Sequence, residues 1–390
     1  MRAHPTRSSA AAAALLAALV AAPARSGRGH EAPSAGLELT LPPAVHAVVG
    51  EPLAIYYDNV VLTETPERYR FQTMCPIGAD GDRCWTATPA DDDGGGHPLR
   101  LLVYDGDALV AEAATTLHVA ARDAGRDRPL ALLIVGDSLT HATLYPNELA
   151  RLLSRPGDAR WRMLGTHRPA QAAEGVAHEG YGGWTWERFV RHHEPAPDPA
   201  AQRFSSPFVF LVDGQPRLDV RRYLDAQATP PDVVLFMLGI NDCFGADPES
   251  RDAIDQHVDR VLAQAETLLA AFHEAAPQAD LAICTTPPPN ARESGFEANY
   301  QGRYHRWGWK RIQHRLVQRQ LAAFAGQEQR HRFLVPTNLA LDPVDGYPVD
   351  NGVHPNALGY RQIGGAIYAW LKGRLEAHAP DEPRSGRRPG

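Results

Sequence analysis

Three apolar runs without alternation constrain this chain most. Leu130 to Val135, Val233 to Leu238 and Leu281 to Cys284 are continuously hydrophobic. They lack the in-and-out alternation of a strand with one wet face. Strands of this kind are covered on both sides, the condition of a parallel sheet flanked by helices. Segments of helical period separate the runs. "NELARLLSR" follows the first, and "HRWGWKRIQHRLVQRQLAAFA" follows the third. Between the second and third, Ile254, Val258, Val261, Leu262, Leu268, Leu269 and Phe272 fall on one helical face. Asp247-Pro248 is read as the cap and first-turn proline of that helix. A strand at "RFLVP" and a last helix, roughly Ala357 to Ala377, complete an α/β pattern. In such sheets ligands collect at the carboxyl ends of the strands, so the residues that follow each run matter first.

The segment before this pattern has a different period. From Gly36 to Ala121, short β-rich runs such as "LAIYYDNVVL", "RYRFQTMC", "LRLLVYD" and "TTLHVAA" alternate with Gly, Pro and Asp clusters. They predict a small antiparallel all-β sandwich over residues 36–121. The polar run "ARDAGRDRP" marks the boundary with the second region, 129–377. At the N-terminus Arg2 and Arg7 precede an Ala/Leu run and the small-residue site Ala22-Pro23-Ala24. This is the order of a secretory signal, so residues 1–24 are expected to be removed and the mature protein to be secreted or periplasmic, without stable membrane insertion. Residues 378–390 read as a disordered tail. A net charge of -7 argues against a nucleic-acid partner. Cys75 and Cys84 could pair, as could Cys243 and Cys284. Their spacing is not that of a metal knuckle, and no metal or cofactor is expected.

The residues at the strand ends form an ordered set. The first run stops at Gly136-Asp137-Ser138-Leu139. "EGYGGWTW" spans Glu179 to Trp186, "MLGINDC" places Gly239, Asn241 and Asp242 directly after the second run, and "DNGVHPNALGY" places His354 before the last helix. Each block alone is common turn chemistry; the order is not. The set resembles the SGNH hydrolase superfamily, the GDSL-type esterases and lipases, over roughly Pro129 to Leu375. The resemblance implies a three-layer α/β/α sandwich with a five-stranded parallel sheet. It maps the nucleophile to Ser138, the base to His354, and the oxyanion hole to the backbone N–H groups of Ser138 and Gly183 with the Asn241 amide, Gly182 being a one-residue alternative.

Chemistry supplies a reason for each role. A serine hydroxyl needs a base in hydrogen-bond reach, and histidine titrates near neutral pH. Donors fixed at the developing oxyanion stabilise the transition state more than the substrate. One position departs from the resemblance. Most members carry an aspartate three residues before the histidine, whereas here that residue is Asn351, with Asp350 one earlier. Asp350 is read as the third member, with Asn351 in its place as the alternative. Asp137 reads as structural, while His141 and "RHHEP" at Arg191 to Pro195 read as bystanders. Tyr181 and Trp184 flank the oxyanion glycine and are candidate substrate contacts. An exported chain with an attached β region resembles carbohydrate esterases, and the expected substrate is an O-acyl, chiefly O-acetyl, carbohydrate ester. An O-acyltransferase or lysophospholipase-type lipase on the same scaffold, and a glycan-binding protein with a compromised triad, stay open.

Overall fold

The computed structural model describes residues 37–300 and 302–378, so the expected leader (1–24) and nearly all of the expected tail lie outside the described residues. Six strands form its largest sheet. Pro129–Gly136 pairs in parallel with Val233–Met237, which pairs with Asp280–Cys284, which pairs with Arg332–Val335. On the other side of Pro129–Gly136, Arg160–Leu164 pairs with its first half and Glu179–Gly180 with its end. Two short strands therefore share one position, and the sheet has about five strand positions, all parallel.

Alternate residues of these strands enter two different cores, which is why the runs are continuously apolar. Leu130, Leu132, Ile134, Val233, Leu235 and Met237 join one cluster with Leu149, Leu153, Ile363, Ile367 and Leu371. Ala131, Leu133, Val135, Val234 and Phe236 join the other with Phe189, Leu268, Leu269 and Phe272. At about 1.5–3 kcal/mol for each large side chain removed from water, this two-sided burial outweighs any local propensity in fixing the strands. The helix Arg251–Ala275 starts one turn later than expected. Its cap is Ser250, whose hydroxyl accepts from Ala253 N, while Asp247 accepts from Glu249 N in the preceding turn. The last helix is Ala357–Ala377, capped by Asn356.

The N-terminal strands form a four-stranded and a three-stranded sheet. The first is not purely antiparallel as expected, because Ala44–Val48 lies parallel to Ala108–Ala120. Ala44–Val48 also packs against the last helix, and a chain that crosses between sheets before it returns need not pair as a hairpin. The core of these strands, with Val45, Ile55, Trp85, Leu101 and Leu117, takes in Leu339 from the second half of the chain. Lys310 pairs with Asp58, and Asn59 Nδ2 donates to Leu341 O at 2.7 Å. The composition change near 121–129 thus marks a change of architecture and not a break in packing. All four cysteines are free thiols. Among the described residues no helix is long and apolar enough to cross a membrane.

One buried ion pair ties the last helix to the bend that leads into Arg160–Leu164. Lys372, fully buried, donates to Asp158 Oδ1 at 2.7 Å, and Tyr368 OH donates to the same carboxylate at 3.1 Å. Lys372→Met leaves that carboxylate buried without its cation, so a loss of about 3–5 kcal/mol is expected in urea unfolding. A loss below about 1 kcal/mol would mean the pair is not desolvated in solution.

Candidate active site

The sheet order reverses between Pro129–Gly136 and Val233–Met237. From the first strand the chain turns to one edge, and from the second to the other. The crevice at their carboxyl ends is the switch point where open α/β sheets bind ligands. Gly136 pairs with Met237, so the residues that leave the two strands emerge side by side. They are Asp137-Ser138 on one strand and Gly239-Ile240-Asn241 on the other.

Ser138 is the first residue of the short helix Ser138–His141 and is half-buried. Asp137 caps that turn, accepting from Leu139 N at 3.0 Å. Burial pushes the Asp137 carboxyl up to about 7, and that of Asp242 up to about 8. Both are structural in position: Asp242 Oδ1 accepts from Trp186 N at 3.2 Å. Asn241 lies in the turn Ile240–Cys243, and its Nδ2 donates to Trp184 O at 3.0 Å, its second amide hydrogen having no partner among the described residues. Gly239 makes this turn possible. Its φ is +129°, and a Cβ there would stand 2.3 Å from Thr286 Oγ1.

His354 comes from the far end of the chain. Its Nε2 lies 2.9 Å from Ser138 Oγ, across 216 residues of sequence. Its other nitrogen, Nδ1, faces Asn351 Oδ1 at 3.3 Å. The same Oδ1 accepts the N–H groups of Val353 at 3.1 Å and His354 at 2.9 Å. This Asx-type turn curls the chain so that the side chain three residues before the histidine comes under the ring. Asp350, one residue earlier, projects outward. It is exposed, and among the described residues its carboxylate makes no hydrogen bond; only its backbone oxygen is engaged, by Asn299. The expectation that Asp350 orients the histidine is therefore corrected, and Asn351 occupies the place. Burial holds His354 below the ordinary imidazole range, with no carboxylate to offset it.

Gly182 and Gly183 are exposed in the turn after Glu179–Gly180, and nothing lies within 4 Å of where a side chain would stand on either. Gly183 has φ +75°, which a bulkier residue would resist. Among the described residues, no acceptor engages the N–H of Ser138 or of Gly183. The aromatic neighbours are not substrate contacts. Tyr181 is 6% exposed and Trp184 1%, both packed with Phe189 and Phe204. The two glycines form the outward tip of a turn whose ends, Tyr181 and Trp184, point inward. Tyr181 OH donates to Glu179, a fully buried carboxylate that also accepts from Thr166 N and Tyr223 OH at 2.6 and 2.7 Å. Burial raises the Glu179 carboxyl. His141 contacts His167, at 3.1 Å between ring nitrogens, and not the Ser138 hydroxyl.

Sequence reading missed Asn290. It is fully buried in "TPPPNARES" and donates through Nδ2 to Pro348 O and Asn351 O at 2.8 and 3.0 Å, while its N–H reaches Gly352 O at 2.9 Å. It holds the backbone of the histidine loop, and a lone asparagine in a proline-rich stretch carries no signal of that. Asn290→Ala is expected to lower thermal stability and slow the reaction together, measured by unfolding and by initial rates. Asn290→Asp would leave the two carbonyls without a donor and should do no better.

No curated protein sequence matches the chain. Among solved structures, similar chains include a carbohydrate esterase family 3 protein from Talaromyces cellulolyticus (18% identity, 64% of this chain and 100% of that one, TM-score 0.39). Another is a carbohydrate acetylesterase from Sinorhizobium meliloti (15% identity, 63% and 99%, TM-score 0.37). The sequence matches the GDSL-like lipase/acylhydrolase family over residues 134–362, more than half of its length. The chain belongs to that family, and it is an ester-bond hydrolase.

Proposed function

We propose that this protein is an exported serine esterase that removes O-acyl groups, chiefly O-acetyl, from carbohydrates. The contact of His354 Nε2 with Ser138 Oγ at 2.9 Å carries the reading. In it, His354 takes the Ser138 proton as the hydroxyl attacks the ester carbonyl, and later gives that proton to the leaving alcohol. The N–H groups of Ser138 and Gly183 and the Asn241 amide receive the developing oxyanion. Their fixed positions on strand-end turns mean that little reorganisation is needed when charge appears. Water then cleaves the acyl-serine. The open Gly182–Gly183 turn supports a bulky polar alcohol beside Ser138, and the leader pattern at 1–24 supports export. The region 129–377 is the hydrolase body, and the strands of 36–121 are its companion.

The third residue sets the chemistry apart from an aspartate triad. Asn351 orients the imidazole through Oδ1 but brings no charge to the imidazolium that forms in the transition state. With His354 already disfavoured as a cation by burial, proton transfer to it costs more. Slow turnover is the consequence.

Three outcomes test this, with p-nitrophenyl acetate and acetylated xylan as substrates. Ser138→Ala and His354→Ala are expected to abolish hydrolysis, and Asn241→Ala to lower kcat by about two to three orders of magnitude. Activity that survives Ser138→Ala would sink the proposal. Asn351→Asp keeps the turn, since Asn351 Nδ2 makes no hydrogen bond among the described residues, and it adds the missing charge. It is expected to raise kcat by about tenfold or more and to move the acid limb of kcat/KM to higher pH. The sign follows from the base role: only neutral His354 is competent, burial lowers its pKa, and so the parent's acid limb should lie below 6.5. A limb above that value would show that a carboxylate reaches the ring after all.

A further inference from the structure

The loop that delivers His354 is held by a residue from the N-terminal strands. Arg83 stands just before the strand Cys84–Ala87, and its carbonyl accepts from Tyr57 N at 3.0 Å. Its guanidinium reaches across 259 residues of sequence to Asp342, Nη1 to Oδ1 at 3.0 Å and Nη2 to Oδ2 at 3.1 Å. Nη2 also donates to Asp345 Oδ2 at 2.7 Å. Planar two-pronged pairing of this kind fixes direction as well as distance.

What Arg83 grips is a turn with a defined onward connection. The buried Asp342 carboxylate also accepts Val344 N at 2.8 Å and Asp345 N at 3.0 Å, and Gly346 N closes the turn on Asp342 O at 3.1 Å. The turn's carbonyls then hold Asn356. Asp345 O accepts from Asn356 Nδ2 at 2.8 Å, and Gly346 O from Asn356 N at 2.9 Å. Asn356 caps the last helix and lies two residues past His354. Arg292 meets the same turn at Val344 O and, more distantly, at Asp345.

We propose that Arg83 is a positioning residue for catalysis: the N-terminal strands hold the His354 loop in register with Ser138 through the chain Arg83, Asp342/Asp345, Asn356. The inference rests on the Ser138–His354 reading above and extends it to a part of the chain outside the matched family region, 134–362. Arg83 touches no reacting atom. A shift of the loop by a fraction of its 2.9 Å contact with Ser138 is enough to impair proton transfer while leaving the substrate surface intact.

The test uses the full-length protein and p-nitrophenyl acetate. Arg83→Ala is expected to lower kcat by about ten- to a hundredfold, with KM changed less than about twofold. The acid limb of kcat should move to higher pH as His354 gains water. Arg83→Lys keeps a charge but loses the fork, so it should fall between the parent and Arg83→Ala. Arg68→Ala removes an exposed pair between the turn Pro66–Arg68 and Asp105 in the same N-terminal region and should leave kcat unchanged. Thermal unfolding of each variant gives the folded fraction by which rates are corrected, and Arg83→Lys carries the decision should Arg83→Ala not fold. A corrected kcat within about twofold of the parent, or a loss with an unmoved pH limb, overturns the proposal. If Ser138→Ala keeps the parent's rate, the Ser138–His354 reading itself fails; a serine-dependent parent with indifferent Arg83 variants overturns only the positioning role.

Discussion

The rest of the structure depends on the parallel pairing of Pro129–Gly136 with Val233–Met237. Both strands are covered on both faces, so a slip of one residue would exchange the two cores, Leu132 for Leu133 and Leu235 for Phe236. That cost locks Gly136 opposite Met237. Everything chemical at the switch point inherits its position from this register. The Ser138 turn leaves one strand end and the Asn241 turn the other, and Asp137 N bonds Met237 O at 3.3 Å between them.

The histidine side is built differently. No strand delivers His354; it sits on a loop before a helix, and loops are held by whatever surrounds them. Here the surroundings are polar groups, Asn290 buried, Asn351 half-buried and Arg83 partly exposed. Asn351 curls its own turn, Asn290 holds the Pro348 and Asn351 carbonyls, and Arg83 grips the turn upstream. Each gives a polar group of the loop a fixed partner, beside the anchorage that buried Tyr347 and Val353 find in the apolar core. The same closeness dries the imidazole and lowers its pKa. Order and basicity are therefore coupled in this site.

Much of this was legible in the residues. Continuous apolar runs declared the parallel sheet, because two-sided burial is the only solvent for them, and the helical stripe from Ile254 to Phe272 declared its cover. Ser138, Gly183, Asn241 and His354 stood out because the blocks that carry them resemble, in order, those of the SGNH hydrolase superfamily. The aromatic rings misled. Tyr181 and Trp184 flank the exposed glycines in sequence, yet they are the two ends of the turn and pack into the core while its tip faces out. The choice of Asp350 failed for a similar reason: a carboxylate is the better chemical partner for histidine, but one residue of displacement in a tight turn reverses the direction of a side chain.

The sequence by itself determined the layered α/β body, the order of the chemical blocks and the residue types that could do the work, since these depend on local pattern and on intrinsic chemistry. Tertiary structure alone decided which groups meet. His354 reaches Ser138 across 216 residues and Arg83 reaches Asp342 across 259. Contacts at such separation carry no local periodicity to read, because they are fixed by how whole elements pack and not by the propensities of the residues that touch.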